Sequence, residues 1–144
     1  MDSASTFLTS DHRACDALWF AVETAVQADD SAAARDAWTA CADAMLRHFA
    51  FEERVLFPAI EDATGMHGMG PTAVMRHEHE QMRRLLATMS AAANAAQWQT
   101  LLDQGDTLLL LVGQHNIKEE HILYPLADAR LSDEWPALAQ RWPV

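Results

Sequence analysis

One eleven-residue pattern occurs twice in this chain. HFAFEERVLFP at 48–58 and HNIKEEHILYP at 115–125 share H-x-x-x-E-E-x-x-L-[FY]-P. In a helix, residues i and i+4 lie one above the other, so His48/Glu52 and His115/Glu119 each share one face. That face is otherwise apolar. The fold must therefore bury two histidine–carboxylate pairs where leucines would ordinarily sit. A shift of 67 residues superposes the two stretches and extends beyond them. It places Asp11 on Glu78, His12 on His79, Leu56 on Leu123 and Pro58 on Pro125. One helical hairpin occurring twice predicts an all-α fold, an up-down-up-down four-helix bundle with a pseudo-twofold internal repeat.

Helical periodicity agrees with this architecture. Half the residues are hydrophobic, and only five Gly and five Pro interrupt them. The breaks fall at ADDS (28–31), with Ser31 as the expected N-cap, at TGMHGMGP (64–71), which closes on Pro71 as a first helical residue, and around 93–97. Helices are expected over roughly 4–28, 31–62, 71–92 and 96–129. Their stripes run Leu8, His12, Cys15, Trp19, Val22; Trp38, Cys41, Met45, His48, Glu52, Val55, Ala59; Met75, His79, Met82, Leu86, Met89; and Leu101, Gly105, Leu108, Val112, His115, Glu119, Ile122, Leu126. Pro58 and Pro125 each remove a helical hydrogen bond, so a kink is expected at both. Residues 1–131 form the bundle in this reading. Residues 132–144 are a short C-terminal tail that packs Trp135 and Trp142 onto it.

Charge and cysteines narrow the function. A net charge of −11 disfavours nucleic acid and anionic membrane surfaces as partners. The longest apolar run, LLLLV at 108–112, is far too short to span a bilayer, and MDSASTFLTSDHR lacks the pattern of a signal peptide. Cys15 and Cys41 make neither a disulfide framework nor a zinc motif, and they read as buried thiols of a cytoplasmic protein.

The polar interruptions of the stripes converge. At about 1.5 Å of rise per residue, His12 and His48 stand about 17 residues from the first turn, and His79 and His115 about as far from the third. Glu52 and Glu119 fall within a turn of the same level. No Lys or Arg lies on these stripes, so buried carboxylates there need metal to balance them. Imidazole with bridging carboxylate suits a pair of metal ions. The candidate ligands are His12, His48, Glu52, His79, His115 and Glu119. His77 and His121 fall off the stripes and read as solvated, His67 as part of a loop that covers one end of the bundle. Glu53 and Glu120 read as solvated helix-face residues rather than partners of an imidazole N–H.

DH at 11–12, HFAFEERVLFP, MRHEHEQMRRLL at 75–86 and HNIKEEHILYP together resemble the hemerythrin-like family, the HHE cation-binding domain. The resemblance covers residues from about 8 to 128. It implies a four-helix bundle around two Fe ions, oxo- or hydroxo-bridged, held by the four histidines with Glu52 and Glu119 as bridges. It departs from the oxygen carriers in two places: Met75 stands where they have a histidine, and Glu119 serves at i+4 where they use an Asp at i+5. The symmetric set is similar to di-iron proteins of iron–sulfur cluster repair. The resemblance thus implies a di-iron protein that reacts with or senses O2, NO or peroxide, with an enzyme of peroxide or NO detoxification or of cluster repair as the alternative. A reductase and a second copy of this chain, docked through Trp135 or Trp142, are the macromolecular partners left open.

Overall fold

The computed structural model describes residues 2–144, and every regular element among them is helical. The helices are α1 (Ala4–Gln27), α2 (Ser31–Phe51), α3 (Phe57–Thr64), α4 (Pro71–Asn94), α5 (Trp98–Lys118), α6 (Tyr124–Arg130) and α7 (Trp135–Ala139). A π-helical turn, Glu52–Leu56, joins α2 to α3 without a break, and another, Glu119–Leu123, joins α5 to α6. Four rods result: α1, α2–α3, α4 and α5–α6. Short turns between them give the up-down-up-down bundle that the periodicity predicts.

Where the prolines predict kinks, the structure has these two π turns. Pro58 and Pro125 have no N–H to give the carbonyl four residues back. The helix widens ahead of each proline instead, and the N–H groups of Phe57 and Tyr124 donate to the carbonyls of Glu52 and Glu119, five residues back. Each wide turn admits one extra residue and rotates the helix beyond it. Ile122, expected on the inner stripe, is therefore 58% exposed, while Leu123 and Tyr124 turn inward and are buried. In the first repeat Val55, Leu56 and Phe57 are buried together, and the stripe resumes at Ile60 rather than Ala59.

The N-cap of α2 is Asp30, not Ser31. Its carboxylate accepts from the Ala33 N–H at 3.0 Å, and the Ser31 hydroxyl instead accepts from Trp98 Nε1–H at 3.0 Å. A carboxylate is the stronger acceptor for the exposed amides of a first turn. The repeat extends to the turns. Asp29 and Ala96, which are 67 residues apart, both adopt the left-handed conformation, with φ of 55° and 54°. The N–H of the residue after each reaches back across the helix end, Asp30 to Ala25 O and Gln97 to Ala92 O. In this conformation alanine suffers a close Cβ–carbonyl approach, which glycine avoids. Ala96→Gly is therefore expected to stabilise the chain by about 0.5–1 kcal/mol, read as a higher urea midpoint at unchanged slope.

Two apolar cores fill the bundle. One gathers Trp19, Val22, Trp38, Cys41, Met45, Phe49, Met82, Leu86 and Leu108 toward the hairpin turns. The other gathers Leu8, Phe51, Leu56, Phe57, Ile60, Met75, Tyr124 and Trp135 at the opposite end. The C-terminal segment closes that end. Trp135 is buried and donates Nε1–H to Asp2 O at 2.7 Å, and Trp142 meets Phe7 and Phe51 edge-on at 5.4 and 5.2 Å. No helix of the described residues is long and apolar enough to cross a membrane.

Candidate metal centre

Between the two cores lies a single polar layer. His12 from α1, His48 from α2, Glu52 from the first π turn, His79 from α4, His115 from α5 and Glu119 from the second π turn are each at most 4% exposed. All six sequence candidates therefore meet. Atoms of Glu52, His79, His115 and Glu119 lie within 4.8 Å of one another, and so do atoms of His12, His48 and Glu119. Glu119 belongs to both groups.

The surroundings of the rings decide where their protons sit. Each Nδ1 faces a carboxylate: His12 to Glu120 Oε2 at 2.7 Å, His48 to Asp11 Oδ2 at 2.7 Å, His79 to Glu53 Oε2 at 2.6 Å and His115 to Glu78 Oε1 at 2.9 Å. An ionised carboxylate only accepts, so each Nδ1 carries the proton and each Nε2 faces the centre. This contradicts the reading of Glu53 and Glu120 as solvated. They are half-buried partners of imidazole N–H groups on neighbouring helices, which the face of a single helix does not disclose. Asp11 and Glu78 match under the 67-residue shift, as do Glu53 and Glu120, so the outer ring obeys the repeat. Arg83 backs Glu53 at 2.7 Å, Arg13 backs Glu120 at 2.8 Å and Lys118 backs Glu78.

The centre is short of positive charge. Glu52 Oε1 lies 3.1 Å from His79 Nε2 and 3.4 Å from His48 Nε2, yet neither it nor Glu119 Oε2 has a hydrogen-bond partner. His79 Nε2 and His115 Nε2 face each other at 3.2 Å. Burial pushes the His48 imidazole down, but Glu52 and Asp11 outweigh it and lift it to about 10. His79 is raised to about 8 against the same burial by Glu52 and Glu53. Burial alone would raise the Glu52 carboxyl; His48 and His79 hold it well below the usual range. Such a layer draws cations to its Nε2 atoms, and metal ions supply what lone protons satisfy only in part. The donor set fits metal.

Sequence reasoning missed Tyr124. Its hydroxyl lies 2.7 Å from Glu52 Oε2, 2.9 Å from Glu119 Oε1, 3.1 Å from His12 Nε2 and 3.2 Å from His48 Nε2. The signal available was the [FY] position of the repeat, where the counterpart is Phe57. The remaining histidines stay apart: His77 and His121 are exposed, and His67 is exposed beside Asp62 at 3.4 Å. Burial pushes the Cys15 and Cys41 thiols up to about 12, so neither is a thiolate at neutral pH. Surface clefts of about 240 and 260 Å³ touch none of the six central residues. A cleft of about 20 Å³ reaches His12 and His48 past Cys15, Met45, Phe49, Val112 and Asn116.

A four-helix bundle with overlapping clusters of inward-facing imidazole and carboxylate defines a class, the helical bundles that carry metal in their core. This chain belongs to the family described as the Hemerythrin HHE cation binding domain, whose model matches residues 3–127. It is similar to the "Iron-sulfur cluster repair protein YtfE" of Escherichia coli O81 (strain ED1a), 30% identical over 88 residues, which are 56% of this chain and 40% of that protein. The proteins of that name from Escherichia coli O1:K1 / APEC and from Escherichia fergusonii are each 28% identical over 88 residues, again 40% of their length. The likeness thus spans less than half of these curated relatives. No solved structure matches the chain.

The outer carboxylates are open to a direct test. Carboxylates that hold a metal-ligating imidazole by its second nitrogen typically contribute 10–100-fold in metal affinity. Glu53→Gln, which leaves His79 a neutral acceptor, is expected to weaken metal binding by about that factor, read by competition with a chelator of known affinity.

Proposed function

We propose that this chain holds two iron ions through His12, His48, His79, His115, Glu52 and Glu119, and that the pair reacts with or senses a small molecule of the size of O2, NO or peroxide. The observation that carries the reading is the set of four imidazoles, each anchored at Nδ1 by its own carboxylate, with Nε2 turned to two buried glutamates. When bound, a pair of irons supplies two electrons to one small ligand.

The residues of the chain do the rest. Asp11, Glu53, Glu78 and Glu120 fix the imidazole tautomers and raise their basicity. Glu52 and Glu119 approach from opposite sides of the layer and supply the negative charge that holds two cations close together. Phe49 stacks on His79 at 4.3 Å and 23°, and Phe57 at 5.5 Å and 26°, so that ring is shut off from water. The cleft beside His12 and His48 has room for about one water-sized molecule, which supports a diatomic or peroxide rather than a larger substrate.

The relatives named for iron–sulfur cluster repair favour a second reading, an enzyme of NO or peroxide detoxification or of cluster repair, fed by a separate reductase. Multiple turnover with a reductant separates it from a carrier or sensor. The first test is metal content of the natively purified chain, with its visible spectrum before and after azide. About two irons per chain and charge-transfer bands that shift with azide are expected. Zinc, or iron that azide does not perturb, overturns the reading.

A further inference from the structure

We propose that Tyr124 is itself a metal ligand, a phenolate on the ion held by His12 and His48, which makes the two halves of the centre chemically unequal. The inference rests on the dinuclear reading and goes beyond it by assigning a seventh ligand.

The two halves of the repeat differ at this position. Phe57 and Tyr124 are 67 residues apart, each closes a π turn of the same kind, and both are buried completely. Phe57 stacks on the His79 ring and offers that half nothing to bind metal. Tyr124 places an oxygen among the donor atoms of the other half. Metal bonds of about 2.0–2.2 Å at roughly right angles put neighbouring ligand atoms about 3 Å apart. The Tyr124 oxygen stands at 2.7, 2.9, 3.1 and 3.2 Å from Glu52 Oε2, Glu119 Oε1, His12 Nε2 and His48 Nε2. Those separations suit an oxygen that joins the group of His12, His48 and Glu119, with Glu52 beside it.

Hydrogen bonding alone accounts for less of this arrangement. A phenol has one proton, so it donates to only one of the two carboxylates it touches, Glu52 or Glu119. Ligation replaces that proton with a cation that the phenolate shares with His12, His48 and Glu119. One proton leaves to the buffer as the oxygen–metal bond forms. The His79/His115 half keeps two imidazoles and the shared glutamates, whereas the His12/His48 half gains an anionic oxygen.

The chain contains a single tyrosine, so a tyrosinate signal has only one source. Iron is counted in the natively purified chain, the metal is oxidised with ferricyanide, and visible absorption and resonance Raman spectra are recorded. Phenolate ring modes enhanced by excitation in the visible band are expected, with complete loss in Tyr124→Phe. About two irons without phenolate modes overturns the proposal and leaves Tyr124 as a hydrogen-bond donor to the glutamates, the dinuclear reading intact. A chain that holds no iron overturns both. Should Tyr124→Phe fail to fold, the parent spectrum alone decides.

Discussion

Glu119→Gln is expected to purify with well under half the iron of the parent chain and to melt about 10 °C lower when both are prepared with metal. Glu119 is the only residue in both candidate ion groups. Its Oε1 stands 3.1 Å from His12 Nε2 and 3.3 Å from His115 Nε2, and its buried Oε2 has no hydrogen-bond partner. An amide keeps the shape and loses the charge that the proposed pair of cations would share. A ligand at a thousand times its dissociation constant stabilises the folded state by about 4 kcal/mol, and a chain of this length gains about 2–4 °C per kcal/mol. Losing the metal forfeits that increment. The metal-free forms provide the control. Without metal, protonated imidazoles balance the carboxylates, so the share of the loss that metal accounts for is the difference between the loaded and the apo pairs. Parent-level iron in the variant would falsify the assignment of Glu119.

Gly105→Ala is expected to lose about 2 kcal/mol, with or without metal. Gly105 lies within α5, where alanine would ordinarily be better by about 1 kcal/mol. Here a Cβ would overlap the Trp19 ring at Cζ2 and Cη2 and stand 3.1 Å from Cε2. Trp19 is 5% exposed and wedged edge-on against Trp38 at 6.1 Å, so it has little room to give way. Overpacking of a filled core costs about 1–3 kcal/mol and here outweighs the gain in propensity. Chemical denaturation reads the loss, and a double-mutant cycle with Trp19→Phe assigns it: the smaller ring should absorb most of the cost of the methyl. Equal stability of Gly105→Ala and parent would mean that Trp19 swings aside. The opposite sign expected for Ala96→Gly, in a turn of the same bundle, shows that glycine's worth is set by position.

Much of the architecture is legible in one chain because it rests on local periodicity. Stripes at intervals of three and four residues mark four helices, and the 67-residue repeat pairs them. Counting residues from the turns places His12, His48, Glu52, His79, His115 and Glu119 at one height, where the structure brings them together. Rise per residue is a property of the helix itself, so this inference needs no knowledge of neighbours.

The features that lay beyond the sequence depend on how the helices meet. The carboxylate that anchors each imidazole comes from a different helix: Glu120 reaches His12, Asp11 reaches His48, Glu53 reaches His79 and Glu78 reaches His115. On its own helix each looks like an ordinary solvated acid, and only the close approach of neighbouring rods makes it a partner. The π turns are likewise a tertiary outcome. Proline forbids one hydrogen bond, but whether the helix bends or widens is settled by which residues the core accepts. By widening, it turns Ile122 out and Tyr124 in, and so sets a hydroxyl among the candidate ligands of one half and a phenyl ring, Phe57, in the other.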